Sequence, residues 1–162
     1  MWSRWHTKRD AAQVRLPPSR SDMARSLIDT DILSEYLKGH DQTVVAHAAR
    51  YAERHGVFTI TSVTVHEIVY GLKFRNALSQ LDRVVAWFGQ IEVITPTHAD
   101  YVMAATIRAT ARQQGEVVEL PDSLIASVAV RLDRSVITGN TGDFEAIRRT
   151  GIPLLIQNWR LP

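Results

Sequence analysis

The sequence predicts an α/β fold, in which helices cover both faces of a central parallel sheet of four to five strands in a three-layer α/β/α sandwich. Two observations lead to this prediction. Short apolar segments alternate with longer segments of helical periodicity along the chain, and this alternation is typical of parallel β–α–β units. The chain has 162 residues and is 45% apolar, which is enough for one buried core.

The elements follow one another from residue 26 onwards. Five short, mainly apolar runs predict strands at 26–29, 57–60, 91–94, 135–138 and 153–156. Apolar residues at helical spacing predict helices at 30–38, 41–55, 63–72, 76–89, 97–114, 122–132 and 144–149. Gly39, Gly56 and Gly115 mark helix ends. Thr61 or Ser62 can cap the helix at 63–72, and Pro121 suits a helix start.

Residues 1–22 differ from the rest of the chain in composition. They hold five basic and two acidic residues, a net charge of +3, and show no regular apolar pattern. We therefore expect a disordered basic leader at 1–22 and one folded domain at 23–162. Met23 is a possible start of translation, which would make the leader an extension; an RNA-contacting arm and a transit peptide are the alternatives. The folded part has a net charge of −1, so RNA could be bound only by local basic patches.

The composition also excludes several classes of protein. Because the chain has no cysteine, a disulfide framework and a thiolate zinc site are both excluded, and the chain fits a reducing compartment. No apolar run approaches the roughly 20 residues that span a membrane. The leader also lacks the apolar stretch of a secretory signal. We therefore expect a cytoplasmic protein.

Four acidic residues are candidates for one metal site. Asp29 follows the first strand, Asp122 begins a helix, and Asp143 follows the strand at 135–138. Glu67 lies among apolar residues of a helix, where a carboxylate is costly unless it is paired or ligated. Ligands of parallel α/β folds bind at the carboxyl ends of the strands. Acids that converge there need a hard divalent cation to offset their repulsion.

Taken singly, each acid also has a structural explanation. An N-cap would account for Asp29, the helix dipole for Asp122, a turn or cap for Asp143, and a surface ion pair for Glu67. Glu119 is left open as an accessory acid. The prediction of a metal site therefore depends on all four acids together.

The segments that carry these acids resemble the PIN-domain family, and in particular the VapC-type toxins of bacterial toxin–antitoxin pairs. The resemblance covers about residues 26–160. It rests on five segments in the family's order: LIDTDIL at 27–33, ITSVTVHEIVYG at 60–71, DSLIA at 122–126, ITGNTGDF at 137–144 and IQNW at 156–159. Gly139, where a basic or polar residue is common, and His66, in place of a small residue, are the departures.

The resemblance implies a PIN-like fold and an endoribonuclease that depends on Mg²⁺ or Mn²⁺. A metal-activated water would attack an RNA phosphodiester. By the same resemblance, Asp29, Asp122 and Asp143 are metal ligands. Glu67 would hold a second ion or orient the water, with a role as general base left open. These four acids are the predicted catalytic residues.

The resemblance also implies partners. They are an RNA substrate, a cognate VapB-type antitoxin whose tail occupies the active groove, and a second copy of the chain in a homodimer. We expect the dimer to form through an apolar surface that includes Trp87 and Phe88. Local cations would hold the RNA phosphates, and Lys38, Arg75 and Arg112 are the candidates.

Two alternatives compete with this prediction. Asp29-Thr30-Asp31 after a strand also resembles the start of a haloacid-dehalogenase-like phosphatase, in which Asp29 would be the nucleophile. Two features argue against this family: Leu33 stands where it has Thr or Val, and no lysine precedes a late acidic pair, because the last lysine is Lys73. We therefore expect Asp31 to stabilise the helix dipole instead. The second alternative is a non-catalytic, PIN-like RNA-binding module, which would bind RNA without metal.

Overall fold

The structure, a computed structural model, describes residues 25–162. The leader predicted at 1–22 therefore lies outside the described residues. The strands are β1 (Leu27–Ile28), β2 (Thr59–Thr61), β3 (Glu92–Ile94), β4 (Val136–Ile137) and β5 (Ile156–Gln157). The helices are α1 (Thr30–Lys38), α2 (Gln42–His55), α3 (Ser62–Phe74), α4 (Leu78–Phe88), α5 (His98–Gln113), α6 (Leu120–Arg131) and α7 (Thr141–Arg149).

All strand pairs in the described part of the chain are parallel, as predicted, but the strands fall into two sheets. One sheet has the order β1-β4-β5 and the other pairs β2 with β3; β1 and β2 lie side by side where the sheets meet. Tyr51 explains part of this division. Its hydroxyl accepts a hydrogen bond from the Ser26 backbone N–H at 2.9 Å and donates to the Ser26 carbonyl at 3.3 Å. The backbone groups that precede β1 are thus bonded to a side chain of α2.

Helices cover both faces of the sheets, which confirms the predicted three-layer α/β/α sandwich. Successive strand residues point to opposite faces, and the core is divided accordingly. Leu27 and Val136 pack into a cluster with α5, α6 and α7. Ile28 and Ile137 pack into a second cluster with α1, α2 and α3.

Two element boundaries near the carboxyl ends of the strands differ from the prediction. The last strand lies at Ile156–Gln157 and not at 153–156, because the Val136 N–H bonds to the Leu155 carbonyl and so fixes the register. α7 begins at Thr141 and not at residue 144, so Asp143 lies inside the first helical turn. No helix within residues 25–162 is long and apolar enough to cross a membrane.

The predicted dimer surface at Trp87 and Phe88 is only partly available. Both side chains pack against the second core cluster. The Trp87 ring meets Phe58 edge to face, with 5.9 Å between the ring centroids, and lies 6.3 Å from Tyr36. Most of the apolar area of these residues therefore closes the core under α4. The large exposed apolar side chains nearby are Tyr70, Phe74, Leu78 and Val85.

Candidate active site

Asp29 lies at the carboxyl end of β1 and is the N-cap of α1. Its Oδ1 accepts a hydrogen bond from the Thr30 N–H at 2.7 Å, and its Oδ2 accepts one from the Thr138 hydroxyl at 2.9 Å. The residue is only 5% exposed. Burial raises the pKa of Asp29 to about 7, and the negative charges of Asp31 and Asp122 act in the same direction. The two hydrogen bonds offset only part of this effect.

Thr138 connects the ends of β1 and β4. Its hydroxyl oxygen accepts a hydrogen bond from the Asn140 backbone N–H at 2.9 Å. The hydroxyl proton is then directed to the Asp29 carboxylate. Because Thr138 is fully buried, this chain of bonds fixes the orientation of Asp29 relative to the start of α7.

Asp122 lies in the first turn of α6, directly after Pro121. The helix is held rigidly, because every side chain from residue 123 to residue 129 is buried. The pKa of Asp122 is raised to about 6, mainly by burial. Nearby negative charges also raise it; in order of decreasing effect they are those of Asp143, Glu67, Glu119 and Asp31. Carboxylates from α1, α3 and α7 therefore lie close enough to α6 for their fields to act on a single group.

Glu67 and Asp143 are half-buried and are oriented by neighbouring polar side chains. Glu67 lies in the interior of α3, not at a helix start, and its Oε2 accepts a hydrogen bond from the Thr30 hydroxyl. Asp143 accepts one from the Asn140 side-chain amide. The Asn140 side chain makes no capping bond to α7, so its amide is used to orient Asp143.

Asp31 takes part in the site, beyond the helix-dipole role that the sequence predicts. It does lie in the first turn of α1, but its Oδ2 accepts a hydrogen bond from the Gly139 N–H at 2.9 Å and lies 3.3 Å from Nη2 of Arg160. The carboxylate thus ties α1 to the loop after β4. No local pattern reveals this role, because Arg160 is far away in the sequence.

The structure brings the four predicted acids to one edge of the sheets. As the side chains stand, no group of three or more His, Asp or Glu residues within 25–162 is arranged to hold an ion. Asp29, Glu67 and Asp143 each accept a hydrogen bond from a hydroxyl or amide neighbour, and mutual repulsion disfavours a closer approach of the carboxylates. The donor set is nevertheless entirely carboxylate oxygen, which suits Mg²⁺ or Mn²⁺.

A groove of about 230 Å³ runs from Glu67 along α1 and α3, and Lys38 and Arg75 contribute to its lining. Two of the three cations proposed for RNA binding are therefore next to a predicted catalytic residue. The third, Arg112, lines a separate depression with Arg108 and Val117. Arg112 thus lies outside the groove that Lys38 and Arg75 share with Glu67, and its contact with RNA stays a prediction.

The chain is similar to several known proteins. It is 28% identical over 126 residues to the tRNA(fMet)-specific endonuclease VapC of Shigella flexneri, a match that covers 77% of this chain and 93% of that protein. Its fold is similar to VapBC2 from Rickettsia felis bound to a DNA fragment from their promoter, with a TM-score of 0.70, 20% identity and coverage of 84% and 99% of the two chains. It is also similar to DNA-bound VapBC from Salmonella typhimurium, with a TM-score of 0.69, 24% identity and coverage of 85% and 99%.

The family assignment rests on the sequence. Residues 26–150 match the PIN domain, and this range contains β1 to β4, all seven described helices and the four predicted catalytic acids. The haloacid-dehalogenase alternative loses its support, because the match covers the segment on which that alternative depends. The chain belongs to the PIN-domain family.

Proposed function

We propose that this protein is a metal-dependent endoribonuclease and the toxic component of a VapBC-type toxin–antitoxin pair. The observation that carries the proposal is the environment of Asp29 and Asp122: burial, and the charges of further carboxylates beside them, raise the pKa values of both. Such a cluster is stable in its charged form only next to a cation. The similarity to the endonuclease VapC of Shigella flexneri over most of both chains supports the same activity.

Asp29, Asp122 and Asp143 would hold Mg²⁺ or Mn²⁺, and Glu67 would hold a second ion or orient the attacking water. A bound divalent ion supplies an activated water and neutralises charge on the phosphodiester. Thr138 and Thr30 keep Asp29 and Glu67 in place. The water oxygen would form the new bond to phosphorus and give a proton to Glu67 while the bond to the leaving ribose oxygen breaks. The leaving oxygen would take a proton from solvent.

The groove beside Glu67 is the proposed RNA path. Lys38 and Arg75 line it, and their charges can neutralise phosphates on the way to the acids. The tail of a VapB-type antitoxin would occupy the same groove and so exclude RNA. We propose that the protein acts in the cytoplasm as a homodimer.

The proposal is tested by incubating the purified protein with total RNA in the presence of Mg²⁺ or of a chelator and mapping the new 5′ ends. We expect cleavage with Mg²⁺ and none with chelator. Asp122→Asn should abolish cleavage, whereas Asp82→Asn, which removes one negative charge from the exposed surface of α4, should not. Metal-independent RNA binding without cleavage would instead favour the non-catalytic module.

A further inference from the structure

The C-terminal segment after β5 is anchored against the body of the protein. Trp159 is 5% exposed, belongs to the second core cluster and stacks on His47 at 6.1 Å between centroids. The imidazole Nε2 of His47 lies 3.0 Å from the Leu161 carbonyl oxygen. The backbone N–H of Arg160 donates to the side chain of Asn158 at 2.9 Å. The backbone of Arg160 is therefore held on both sides.

The guanidinium of Arg160 lies against the loop that follows β4. A Cβ atom at Gly139 would stand 2.7 Å from Nε and 2.8 Å from Cζ of Arg160, and 2.6 Å from Oδ2 of Asp31. Only glycine leaves room for these two side chains to meet. Since Thr138, next to Gly139, bonds directly to Asp29, Arg160 stands at the margin of the proposed active site.

Asp31 does not occupy the whole guanidinium. Its carboxylate already accepts hydrogen bonds from the backbone N–H groups of Ile32 and Gly139, and it pairs with Arg160 through Nη2, at 3.3 Å. The Arg160 side chain is 43% exposed. An arginine has five N–H donors in a planar fork, so this residue can keep its contact with Asp31 and still bind an anion from solvent.

Arg160 also extends the positive charge of the proposed RNA groove. Lys38 and, to a smaller extent, Arg160 hold the pKa of Glu35 below its ordinary value. Both cations therefore lie close enough to Glu35 of α1 for their charges to act on it. Lys38 lines the groove next to Glu67, and Arg160 stands next to Asp31 and Gly139. Positive charge is thus present both beside Glu67 and beside Asp31.

We propose that Arg160 is a phosphate-binding residue of this site and contacts the backbone of single-stranded RNA next to the bond that is cut. This inference rests on the proposed ribonuclease function and adds a residue to it. A guanidinium is suited to the role because it binds two oxygens of one phosphate in its plane. Arg160 belongs to the anchored C-terminal segment. This segment, and not the helices that carry the acids, holds the guanidinium near the acids.

The test measures binding of a short labelled single-stranded RNA over a salt series, by fluorescence anisotropy. Every protein in the series also carries Asp122→Asn, so that the RNA is not cleaved while its binding is measured in the presence of Mg²⁺. We expect Arg160→Ala to weaken binding about tenfold at low salt and to make the salt slope less steep by about 0.7, the value for one phosphate contact on a single strand. Arg160→Lys should keep the slope and lose part of the affinity. Arg54→Ala is the matched control, because Arg54 is exposed at the end of α2, where its charge and that of Arg25, which precedes β1, both act on His55.

Asp31 provides the decisive comparison. Removal of Arg160 also uncovers the Asp31 carboxylate, which would repel RNA. In an Asp31→Asn background, a direct phosphate contact predicts that Arg160→Ala still lowers the affinity and the slope. An effect that disappears in that background, or an Arg160→Ala variant that binds RNA as tightly as its parent, overturns the proposal.

The outcome for Arg160 is separate from the outcome for the ribonuclease. If the wild-type protein shows no Mg²⁺-dependent cleavage, the proposed function fails, whereas a salt slope lowered only at Arg160 still supports a phosphate site there. If cleavage is present and the slope does not depend on Arg160, the function stands and this inference fails. A chain that binds no RNA overturns both.

Discussion

Replacing Asp29 by asparagine should stabilise the metal-free protein near neutral pH while removing its activity. Asp29 is almost fully buried, and burial together with neighbouring carboxylates raises its pKa from 3.8 to about 7. Between these two values the native protein holds the Asp29 proton more tightly than the unfolded chain does. The free energy of unfolding therefore falls as pH rises through this window, and the full cost is present above about pH 7.

The size of the effect follows from the pKa and from the hydrogen bonds. Each unit of pKa corresponds to about 1.4 kcal/mol, so a charged Asp29 costs the native state about 4 kcal/mol. An asparagine carries no charge, but it can accept only with its carbonyl oxygen. It therefore loses the bond from either Thr30 or Thr138, which costs about 1–2 kcal/mol. The net gain should be about 2–3 kcal/mol near pH 8 and close to zero near pH 5.

Urea unfolding in the presence of a chelator measures this gain. The midpoint of Asp29→Asn should exceed that of the wild type near pH 8, and the difference should shrink towards pH 5. Asp82→Asn controls for the loss of one surface charge, because Asp82 is exposed on α4. A variant that is less stable than the wild type near pH 8, or a gain that does not change with pH, would refute the argument that the charge of Asp29 is buried at a cost.

Three further predictions follow from the same geometry. Mn²⁺ should raise the thermal unfolding midpoint of the wild type more near pH 8 than near pH 5, because protons compete with the ion for the carboxylates at the lower pH. Differential scanning calorimetry measures this rise, and Asp122→Asn should abolish it. Thr138→Val removes the donor that orients Asp29 and should lower the initial rate of RNA cleavage about 10- to 100-fold, with circular dichroism showing an unchanged fold. Gly139→Ala forces Arg160 and Asp31 apart, so it should weaken RNA binding as Arg160→Ala does, and the two changes together should not add.

Several helix boundaries could be predicted because they depend on neighbours in the sequence. Thr61, one of the two predicted caps, caps α3, and Thr97 stands at the predicted start of α5; each side chain accepts a hydrogen bond from the backbone N–H three positions later. Gly39 ends α1 with a φ of 69°, a conformation that favours glycine. The four acids could be selected for the same reason, since each occurs in a short segment with a recognisable pattern.

What the sequence did not predict depends on distant contacts. The division of the strands into two sheets involves Tyr51, whose hydroxyl bonds to Ser26 across 25 positions. The role of Asp31 involves Gly139 and Arg160, more than a hundred residues away. Polar residues of these types are common on helix and loop surfaces, so nothing in their own segments distinguishes them.

The hydrogen bonds in the site also indicate how the protein tolerates its own acids without metal. Among the four predicted acids, the hydrogen bonds to Asp29, Glu67 and Asp143 come from neutral donors: hydroxyls for Asp29 and Glu67, and an amide for Asp143. Such donors orient a carboxylate but do not neutralise it. By contrast, the buried carboxylate of Asp100 on α5 is neutralised by Arg131 of α6, whose Nε donates to both of its oxygens. A fold selected for stability alone would place a cationic side chain beside Asp29 as it does beside Asp100. Asp29, Glu67 and Asp143 have neutral donors, whereas Asp100 has an arginine. The negative charge of these acids is therefore left to be balanced from outside, as a divalent ion would do. Introducing a lysine beside the acids should therefore stabilise the metal-free protein and abolish cleavage together.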